Sequence, residues 1–202
     1  MTHDARLYAP AAARNQEPIL AVLKRCLPAR GLVLEVASGS GEHIAYFAQG
    51  SGPDLIFQPS DPDASARASI DAWAASLGLR NVRPAMALDA AADVWPIRSA
   101  DAVLCINMIH IAPWDAAAGL VRGAARVLTP GGLLYLYGPF RRDGRHAALS
   151  NEAFDEDLQA QNPAWGVRDL EAVAALAEAQ RFAPPVIEAM PANNLSLTFR
   201  RL

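Results

Sequence analysis

Short apolar runs recur along the chain at intervals that leave room for a helix between one run and the next. Runs of this length, bounded by glycine, proline or polar residues, are typical of buried strands. The intervening stretches repeat apolar residues every three or four positions, as on one face of a helix. The predicted strands are one from 31 into a glycine turn at 39, then 54–61, 81–88, 101–106 and 133–137, and the predicted helices are 15–27, one from 44, 63–77, 113–128, 151–160 and 167–180.

Alternating strands and helices predict parallel strands joined by right-handed helical crossovers, and therefore a doubly wound α/β sheet. The end of the chain departs from this pattern, because short strands at 186–187 and 195–200 flank a link at 191–194 and predict a hairpin. We therefore expect a mostly parallel, seven-stranded, Rossmann-like sheet whose last strand is antiparallel. A length of 202 residues suits one domain, in which the polar, irregular stretch 1–14 is a candidate lid.

Composition excludes several classes of function. Hydrophobic residues make up 52% of the chain and charged residues 19%, so we expect a folded domain. A net charge of −3 argues against a general electrostatic hold on nucleic acid or on an anionic membrane. Lys24 is the only lysine, so neither a phosphate-binding lysine in a glycine loop nor a Schiff-base lysine is expected. Cys26 and Cys105, without a signal peptide or a membrane-spanning run, predict a reduced, cytoplasmic protein.

The first predicted strand ends in a turn that carries Glu35, Gly39, Ser40 and Gly41. A glycine turn between a strand and a helix lets the backbone pass close to a ligand and directs helix N–H groups toward it. A dinucleotide fold would have a third glycine at position 44, where Ile44 stands, and this disfavours an NAD-linked oxidoreductase. The remaining pattern, E-x-x-x-G-x-G, resembles the first motif of class I S-adenosylmethionine-dependent methyltransferases.

Polar residues at the ends of the next three strands support a nucleotide cleft. Asp61 lies 22 residues after Gly39, a spacing from which a carboxylate reaches a ribose diol. Asp89 follows the third strand, and in the methyltransferase pattern this position accepts a hydrogen bond from the adenine amino group. Asn107 follows the fourth strand at the same edge of the sheet. We therefore predict that these residues and the glycine turn bind S-adenosylmethionine and its product S-adenosylhomocysteine.

Seven longer strings are more specific than a glycine turn: PAAARN at 10–15, ASGSGEH at 37–43, QPSDPD at 58–63, CINMIHIAPW at 105–114, YLYGPF at 135–140, NPAWGVRD at 162–169 and MPANN at 190–194. Through them nearly the whole chain resembles the methyltransferase-like 26 family. The resemblance implies the class I fold and binding of S-adenosylmethionine, and it does not supply a substrate. In many such folds the segment around Arg14 and Asn15 closes over the cofactor, and we expect Arg14 to pair with the cofactor's carboxylate.

His110 is the leading candidate for a catalytic residue. Methyl transfer from a sulfonium is an in-line displacement, which needs a base only if the acceptor must lose a proton. His110 follows the fourth strand, and an imidazole with an ordinary pKa of about 6.5 suits proton removal at neutral pH. The alternative is a histidine that orders the loop before Pro113. His43, at the start of the glycine-turn helix, is expected to contact a loop or the cofactor, and no metal site is predicted.

Aromatic and basic residues after the fourth and fifth strands are candidates for an acceptor pocket, although aromatic residues are more often core. The predicted pocket residues are Trp114, Tyr137, Phe140, Arg141, Phe154 and Trp165. Arg142, Arg145 and His146 extend the basic run from Arg141, which is either a solvated loop or an anion site. Two functions stay open: a methyltransferase for an unidentified small-molecule acceptor, and a catalytically silent protein that binds S-adenosylmethionine or S-adenosylhomocysteine. Neither a nucleic acid nor a membrane is an expected partner, and the oligomeric state is left open.

Overall fold

The computed structural model describes residues 4–202, in which helices and strands alternate along the chain. The helices are α1 Pro10–Cys26, α2 Glu42–Gly50, α3 Ala64–Ser76, α4 Trp114–Val127, α5 Leu149–Gln161 and α6 Leu170–Ala179, with short 3-10 helices at Met108–His110 and Pro191–Asn193. The strands are β1 Gly31–Val36, β2 Leu55–Ser60, β3 Ala100–Ile106, β4 Leu128–Gly138, β5 Phe140–Arg141, β6 Arg168–Asp169, β7 Val186–Met190 and β8 Asn194–Arg200.

Six of these strands form the main sheet, in the order β2-β1-β3-β4-β8-β7. The first four are parallel, β8 runs antiparallel to β4, and β7 pairs antiparallel with β8. The short strands β5 and β6 form a separate parallel pair. The α/β class, the mostly parallel sheet and the closing hairpin are therefore confirmed, whereas the expectation of seven strands is wrong.

The missing strand is the predicted run 81–88. Its backbone lies along the outer edge of β2, where Arg83 donates to the Phe57 carbonyl at 2.8 Å and Met86 donates to the Pro59 carbonyl at 3.1 Å. Only two isolated parallel bridges form between the two segments. Pro84 lies between these donors and has no N–H, so it interrupts the ladder at the middle of the run. The direction of the segment was predicted correctly, and its regularity was not.

The sheet separates two apolar layers, because successive residues of a strand point to opposite faces. On one face Val33 packs with residues of α1, α2 and α3, including Phe47 and Ile70. On the other face Leu34 packs with residues of α4 and α6. Both layers contain fully buried, closely packed side chains. The sheet between them brings the carboxyl ends of the parallel strands β1, β2, β3 and β4 to one edge.

The first helix begins five residues earlier than predicted. Pro10 occupies the first turn of α1, where a proline costs no hydrogen bond, and the alanines at 11–13 favour helix strongly. Pro18 lies inside the helix. Arg14 and Asn15 are thus carried by a helix, and the irregular segment is limited to residues 4–9 of the part that the structure describes.

Residues 4–9 pack against the rest of the fold. The amide of Leu7 donates to Ser69 Oγ at 2.7 Å, and the indole of Trp73 donates to the Leu7 carbonyl at 3.0 Å. Residues 1–3, the remainder of the predicted lid, lie outside the described residues. Among the helices within residues 4–202, none has the length and apolar character needed to cross a membrane. The same residues contain no group of three or more His, Cys, Asp or Glu side chains placed to hold a metal ion.

Candidate cofactor and acceptor site

The turn after β1 uses its two glycines for different purposes. Both are left-handed, with φ of 56° at Gly39 and 89° at Gly41. A Cβ on Gly41 would lie 2.7 Å from the Cα of Ile70, so this glycine lets α3 pack directly against the turn. A Cβ on Gly39 would meet nothing within 4 Å. Gly39 therefore leaves its side of the turn open to a ligand.

Asp61, just beyond the end of β2, lies directly beside this turn, as its spacing predicted. One carboxylate oxygen accepts a hydrogen bond from the Gly39 amide at 3.0 Å, and the other accepts from the Asp63 amide at 3.0 Å. The residue is only 8% exposed. Because each oxygen of an ionised carboxylate can accept two hydrogen bonds, both retain capacity for a ligand hydroxyl.

Glu35 and Ser40 lie on the protein side of the turn. Glu35 is 1% exposed, and burial raises the pKa of its carboxyl group to about 8. Its Oε2 atom has no hydrogen-bond partner among residues 4–202. Ser40 donates to a carboxylate oxygen of Glu42 at 2.9 Å, and its carbonyl accepts from Ser69 at 2.6 Å. Glu35 is therefore a neutral acid below the turn at pH 7, and Ser40 links the turn to α2 and α3.

Asp89 borders a cavity of about 450 Å³ at the same edge of the sheet, which we call the Asp89 cavity. One carboxylate oxygen of Asp89 accepts from the Ala91 amide at 2.9 Å, and the residue is exposed. Val36, Pro62 and Met108 contribute apolar walls. A carboxylate at the rim of an apolar slot suits a flat ring that carries an exocyclic amino group.

A second, larger space of about 710 Å³ adjoins it, and Ile111 lines both. We call this space the large cavity. Six of the residues predicted from the sequence are at or near this space: Arg14, Asn15, Asn107, Tyr137 and Phe154 line it, and His43 lies behind Asn15. Sequence reasoning missed Ile111, Asn151 and Asn194 as lining residues. Asn194 belongs to the MPANN string, but no local pattern showed that this string faces α1.

Asn15 is held by residues from two other elements. His43 Nε2 lies 2.6 Å from Asn15 Oδ1, which makes Nε2 the donor. Burial lowers the pKa of His43 to about 4, so the ring is neutral and stacks on Phe47 with centroids 5.6 Å apart. Burial also raises the pKa of Tyr137, whose hydroxyl is hydrogen-bonded with the Asn15 side chain. His43 thus contacts helix α1, and the expectation that it contacts a loop or the cofactor stays a prediction.

Asn107 joins the two strands whose ends face the large cavity. It follows β3 with a left-handed φ of 61°, and its amide donates to the Tyr137 carbonyl of β4 at 2.8 Å. Asparagine tolerates this backbone conformation better than most residues. The strained turn places the Asn107 carboxamide in the cavity lining.

His110 lies next to this turn but inside the protein. It is 1% exposed, and its ring meets the ring of Phe140 edge-on with centroids 5.0 Å apart. Its Nδ1 accepts from the Arg168 amide at 3.4 Å, whereas Nε2 has no hydrogen-bond partner within residues 4–202. Burial lowers the pKa of the ring to about 3. The catalytic role of His110 stays a prediction, and its placement favours the alternative of a loop-ordering histidine.

Tyr137 and Phe154 are the two members of the predicted acceptor pocket that line the large cavity. Phe140 is buried beside His110, and Arg141 forms an ion pair with Asp169 at 2.9 Å. These side chains are directed by tertiary contacts that the sequence pattern does not encode.

The two predicted tryptophans also lie elsewhere. Trp114 packs under the guanidinium of Arg168, 5.7 Å from the ring centroid, and contributes to the core beneath α4. Trp165 belongs to the loop after α5, where its amide donates to the Asn162 carbonyl at 2.9 Å. Phe154, an aromatic residue on α5, takes the corresponding place in the lining of the large cavity.

The architecture is that of solved methyltransferase structures. An O-methyltransferase family protein from Burkholderia thailandensis superposes with a TM-score of 0.79 at 19% identity, over 95% of this chain and 57% of that chain. Human N-acetylserotonin methyltransferase in complex with S-adenosylmethionine gives a TM-score of 0.77 at 13% identity, over 95% of this chain and 52% of that chain. The chain spans little more than half the length of these proteins, and at such identities the likeness shows the fold.

The sequence places the chain within one family of this architecture. The chain belongs to DUF938, a family of proteins of unknown function, which matches residues 6–201. The more specific resemblance to the methyltransferase-like 26 family stays a prediction.

Proposed function

We propose that this protein is an S-adenosylmethionine-dependent methyltransferase acting on a small, polar acceptor. The observation that carries the proposal is the continuity of the cleft. An open glycine turn and Asp61 lie beside the Asp89 cavity, which meets the large cavity at Ile111. The cleft has one part for a nucleoside and a separate part for a second molecule, as a group transfer between two substrates requires.

The nucleoside side would hold the cofactor through two carboxylates. Asp61 keeps acceptor capacity on both oxygens for the two ribose hydroxyls, and these bonds are charge-assisted. Asp89 uses one oxygen for the Ala91 amide, so the other can accept from the adenine amino group. The open side of Gly39 leaves room for the cofactor to pass close to the backbone.

The amino-acid end of the cofactor would lie toward α1. Arg14 is exposed on the first turns of this helix and lines the large cavity, where its guanidinium can pair with a carboxylate. Beside it, a hydrogen bond joins the side chains of Asn15 and Tyr137. These residues would fix the cofactor between the glycine turn and the acceptor.

The chain's own contribution to the reaction is alignment and exclusion of water. Bound S-adenosylmethionine supplies a methyl group on a positively charged sulfur, and S-adenosylhomocysteine is the product. Asn107, Asn151 and Asn194 line the large cavity; the Nδ2 groups of Asn151 and Asn194 already donate to backbone carbonyls, so these two residues chiefly offer their carboxamide oxygens as acceptors. Ile111 and Phe154 present apolar surface that limits water around the reacting atoms.

A second candidate function is supported by His110. The predicted base is fully buried, and burial lowers its pKa to about 3. A cleft that binds the cofactor but lacks a base beside the acceptor is compatible with a catalytically silent binding protein. It is equally compatible with transfer to an acceptor that needs no deprotonation, and only turnover separates the two.

Ligand binding and turnover are measured in sequence. Calorimetry should show binding of S-adenosylmethionine and S-adenosylhomocysteine and no binding of NAD. Metabolite extracts are then incubated with methyl-labelled S-adenosylmethionine, and labelled products are identified by mass spectrometry. A labelled product supports the methyltransferase. Binding without any labelled product supports the silent protein, and failure to bind either ligand contradicts both.

Once an acceptor is known, His110→Gln tests the role of this residue. A lost general base lowers the rate by about 10²–10⁴-fold. We expect instead a lower melting temperature and a near-normal maximal rate, because the ring lies in the core. A steep loss of rate with unchanged melting temperature, together with loss of a pKa from the pH–rate profile, would restore His110 as the base.

A further inference from the structure

The loop after β5 contains a set of basic residues that the structure treats unequally. Arg141 is neutralised by Asp169, with Nη2 and Oδ2 2.9 Å apart. Within residues 4–202, neither Arg142 nor Arg145 forms an ion pair with a carboxylate, although both are exposed beside it. Two guanidinium groups in one short loop thus have no ion-pair partner within residues 4–202, although the exposed Asp143 lies between them in sequence.

A tight turn holds these two arginines opposite each other. The Arg142 amide donates to the Arg145 carbonyl at 3.0 Å, and the Arg145 amide donates back to the Arg142 carbonyl at 2.9 Å. Asp143 and Gly144 between them are both left-handed, with φ of 50° and 70°, as in a type I′ turn. Residues that exchange both bonds send their side chains to the same face of the ribbon. Like charges placed opposite each other are destabilising, and an anion bound between them would relieve this repulsion.

Both arginines line one cavity of about 290 Å³ together with His146, which we call the Arg142–Arg145 cavity. Its apolar lining is Phe140, Ala147 and Leu195, of which Phe140 is 1% exposed. Apolar walls reduce the local dielectric constant and strengthen the attraction between a cation and an anion.

His146 is fixed in this lining from behind. Its Nε2 lies 3.3 Å from Oδ2 of Asp155, a residue that is 5% exposed and whose other oxygen accepts from the Val167 amide at 2.7 Å. The Nδ1 atom of His146 is buried and has no hydrogen-bond partner within residues 4–202. A buried ring nitrogen without a partner is satisfied if a ligand in the cavity forms a hydrogen bond with it.

We propose that the Arg142–Arg145 cavity binds the phosphate group of a small soluble ligand. Two guanidinium forks match the oxygens of a tetrahedral anion, and their two charges suit a phosphate dianion better than a single carboxylate. The imidazole of His146 lies in the same lining, where its Nδ1 has no partner within residues 4–202. The cavity exceeds what a phosphate group fills, so it leaves space for an attached organic part.

This site is separate from the proposed methyl-transfer cleft. Pro139 and Asn194 line the large cavity, whereas the next residues, Phe140 and Leu195, line the Arg142–Arg145 cavity. Because successive residues of extended chain point to opposite faces, the two spaces lie on opposite sides of the sheet edge. The proposal therefore does not depend on S-adenosylmethionine binding.

Calorimetry with inorganic phosphate, glycerol phosphate and acetate at fixed ionic strength tests the site. We expect the wild-type protein to bind inorganic phosphate at least about tenfold more tightly than acetate. The double variant Arg142→Gln/Arg145→Gln should weaken phosphate binding by about tenfold or more, whereas Arg30→Gln, an exposed arginine before β1, should change it less than about twofold. Tighter binding of glycerol phosphate than of inorganic phosphate indicates a phosphate ester as the ligand. Equal phosphate affinity in wild type and double variant overturns the proposal.

Nuclear magnetic resonance of the wild-type protein gives a readout that needs no variant. Saturable phosphate-dependent shifts should appear at the amides of 140–147 and of Leu195, and acetate should not reproduce them. Shifts confined to the glycine turn at 39–41 would overturn the proposal, because they would assign the anion to the cofactor cleft.

Discussion

The two sides of the cleft are assembled over very different distances along the chain. On the nucleoside side, Gly39 and Asp61 are 22 residues apart and are joined by one hydrogen bond. On the acceptor side, Asn15, Tyr137 and Asn194 come from α1, from β4 and from the start of β8. A local motif fixes its own geometry, whereas the acceptor side exists only after α1 and the hairpin of β7 and β8 have packed on the sheet.

The ionisable groups near the cleft also fall into two classes, one at the surface of the cleft and one buried beneath it. Asp61 keeps both carboxylate oxygens hydrogen-bonded at the surface of the cleft. Glu35 and His110 each have a buried polar atom without a partner in the described part of the chain. Burial raises the pKa of Glu35 and lowers the pKa of His110, and both shifts favour the neutral form of the side chain. The cleft thus combines charged groups at its rim with neutral acids and bases beneath it, and each of the following predictions changes one member of this arrangement.

The largest expected effect separates the two glycines of the turn. Gly41→Ala adds a left-handed side chain and a backbone clash with Ile70, so we expect it to lower the free energy of unfolding by about 2–5 kcal/mol. Gly39→Ala adds only the left-handed conformation and should cost about 1–2 kcal/mol. Urea unfolding of both variants measures the difference. Equal losses would mean that α3 moves away from the turn without penalty.

Glu35→Gln tests the neutral acid beneath the turn. The pKa of Glu35 is raised from 4.5 to about 8, so the folded state holds its proton more tightly than the unfolded state. Its contribution to stability is therefore complete below pH 4.5 and is lost as the pH rises toward 8. Glutamine does not titrate. From pH 4.5 to about pH 8, the free energy of unfolding of the variant should therefore rise relative to that of the wild type by on the order of 4 kcal/mol.

The measurement is thermal unfolding without ligand, at about pH 5 and about pH 8. Glu17→Gln, an exposed acid on α1, is the matched control and should follow the wild type at both values. A difference between Glu35→Gln and wild type that is the same at both pH values would contradict the raised pKa.

The position of Asp61 beside the glycine turn was predictable from the sequence, whereas most of the lining of the large cavity was not. Asp61 lies beside Gly39 because β1 and β2 are parallel neighbours in register, a consequence of the alternating pattern. Phe140 and Trp114 do not line the large cavity, because their directions depend on packing around His110 and Arg168. The run 81–88 does not form a regular strand for a local reason: Pro84 has no amide N–H to donate, and the apolar pattern alone did not indicate this.

Asp61→Ala should weaken S-adenosylmethionine binding by about 1.5–3 kcal/mol, or roughly 10- to 150-fold, since it removes a charged acceptor from two hydroxyls. The control is Asp54→Ala. Asp54 is exposed and precedes β2, whereas Asp61 follows it, so this variant should leave the affinity for S-adenosylmethionine unchanged. Calorimetry of both variants decides the matter. Unchanged affinity in Asp61→Ala would remove this residue from the cofactor site and leave Asp89 as the only acid assigned to it.

The smallest expected effect tests the prediction that residues 4–9 are part of a lid that closes over the cofactor. Trp73→Phe keeps an aromatic ring on α3 but removes the 3.0 Å hydrogen bond to the Leu7 carbonyl, which we expect to cost about 0.5–1.5 kcal/mol of local stability. Amide exchange at Leu7 should be faster in this variant and slower in the wild type when S-adenosylmethionine is added. Trp165→Phe, in the loop after α5, should alter neither rate. If saturating cofactor leaves exchange across 4–9 unchanged, the segment is a fixed part of the fold, and the cofactor site is closed by α1 alone.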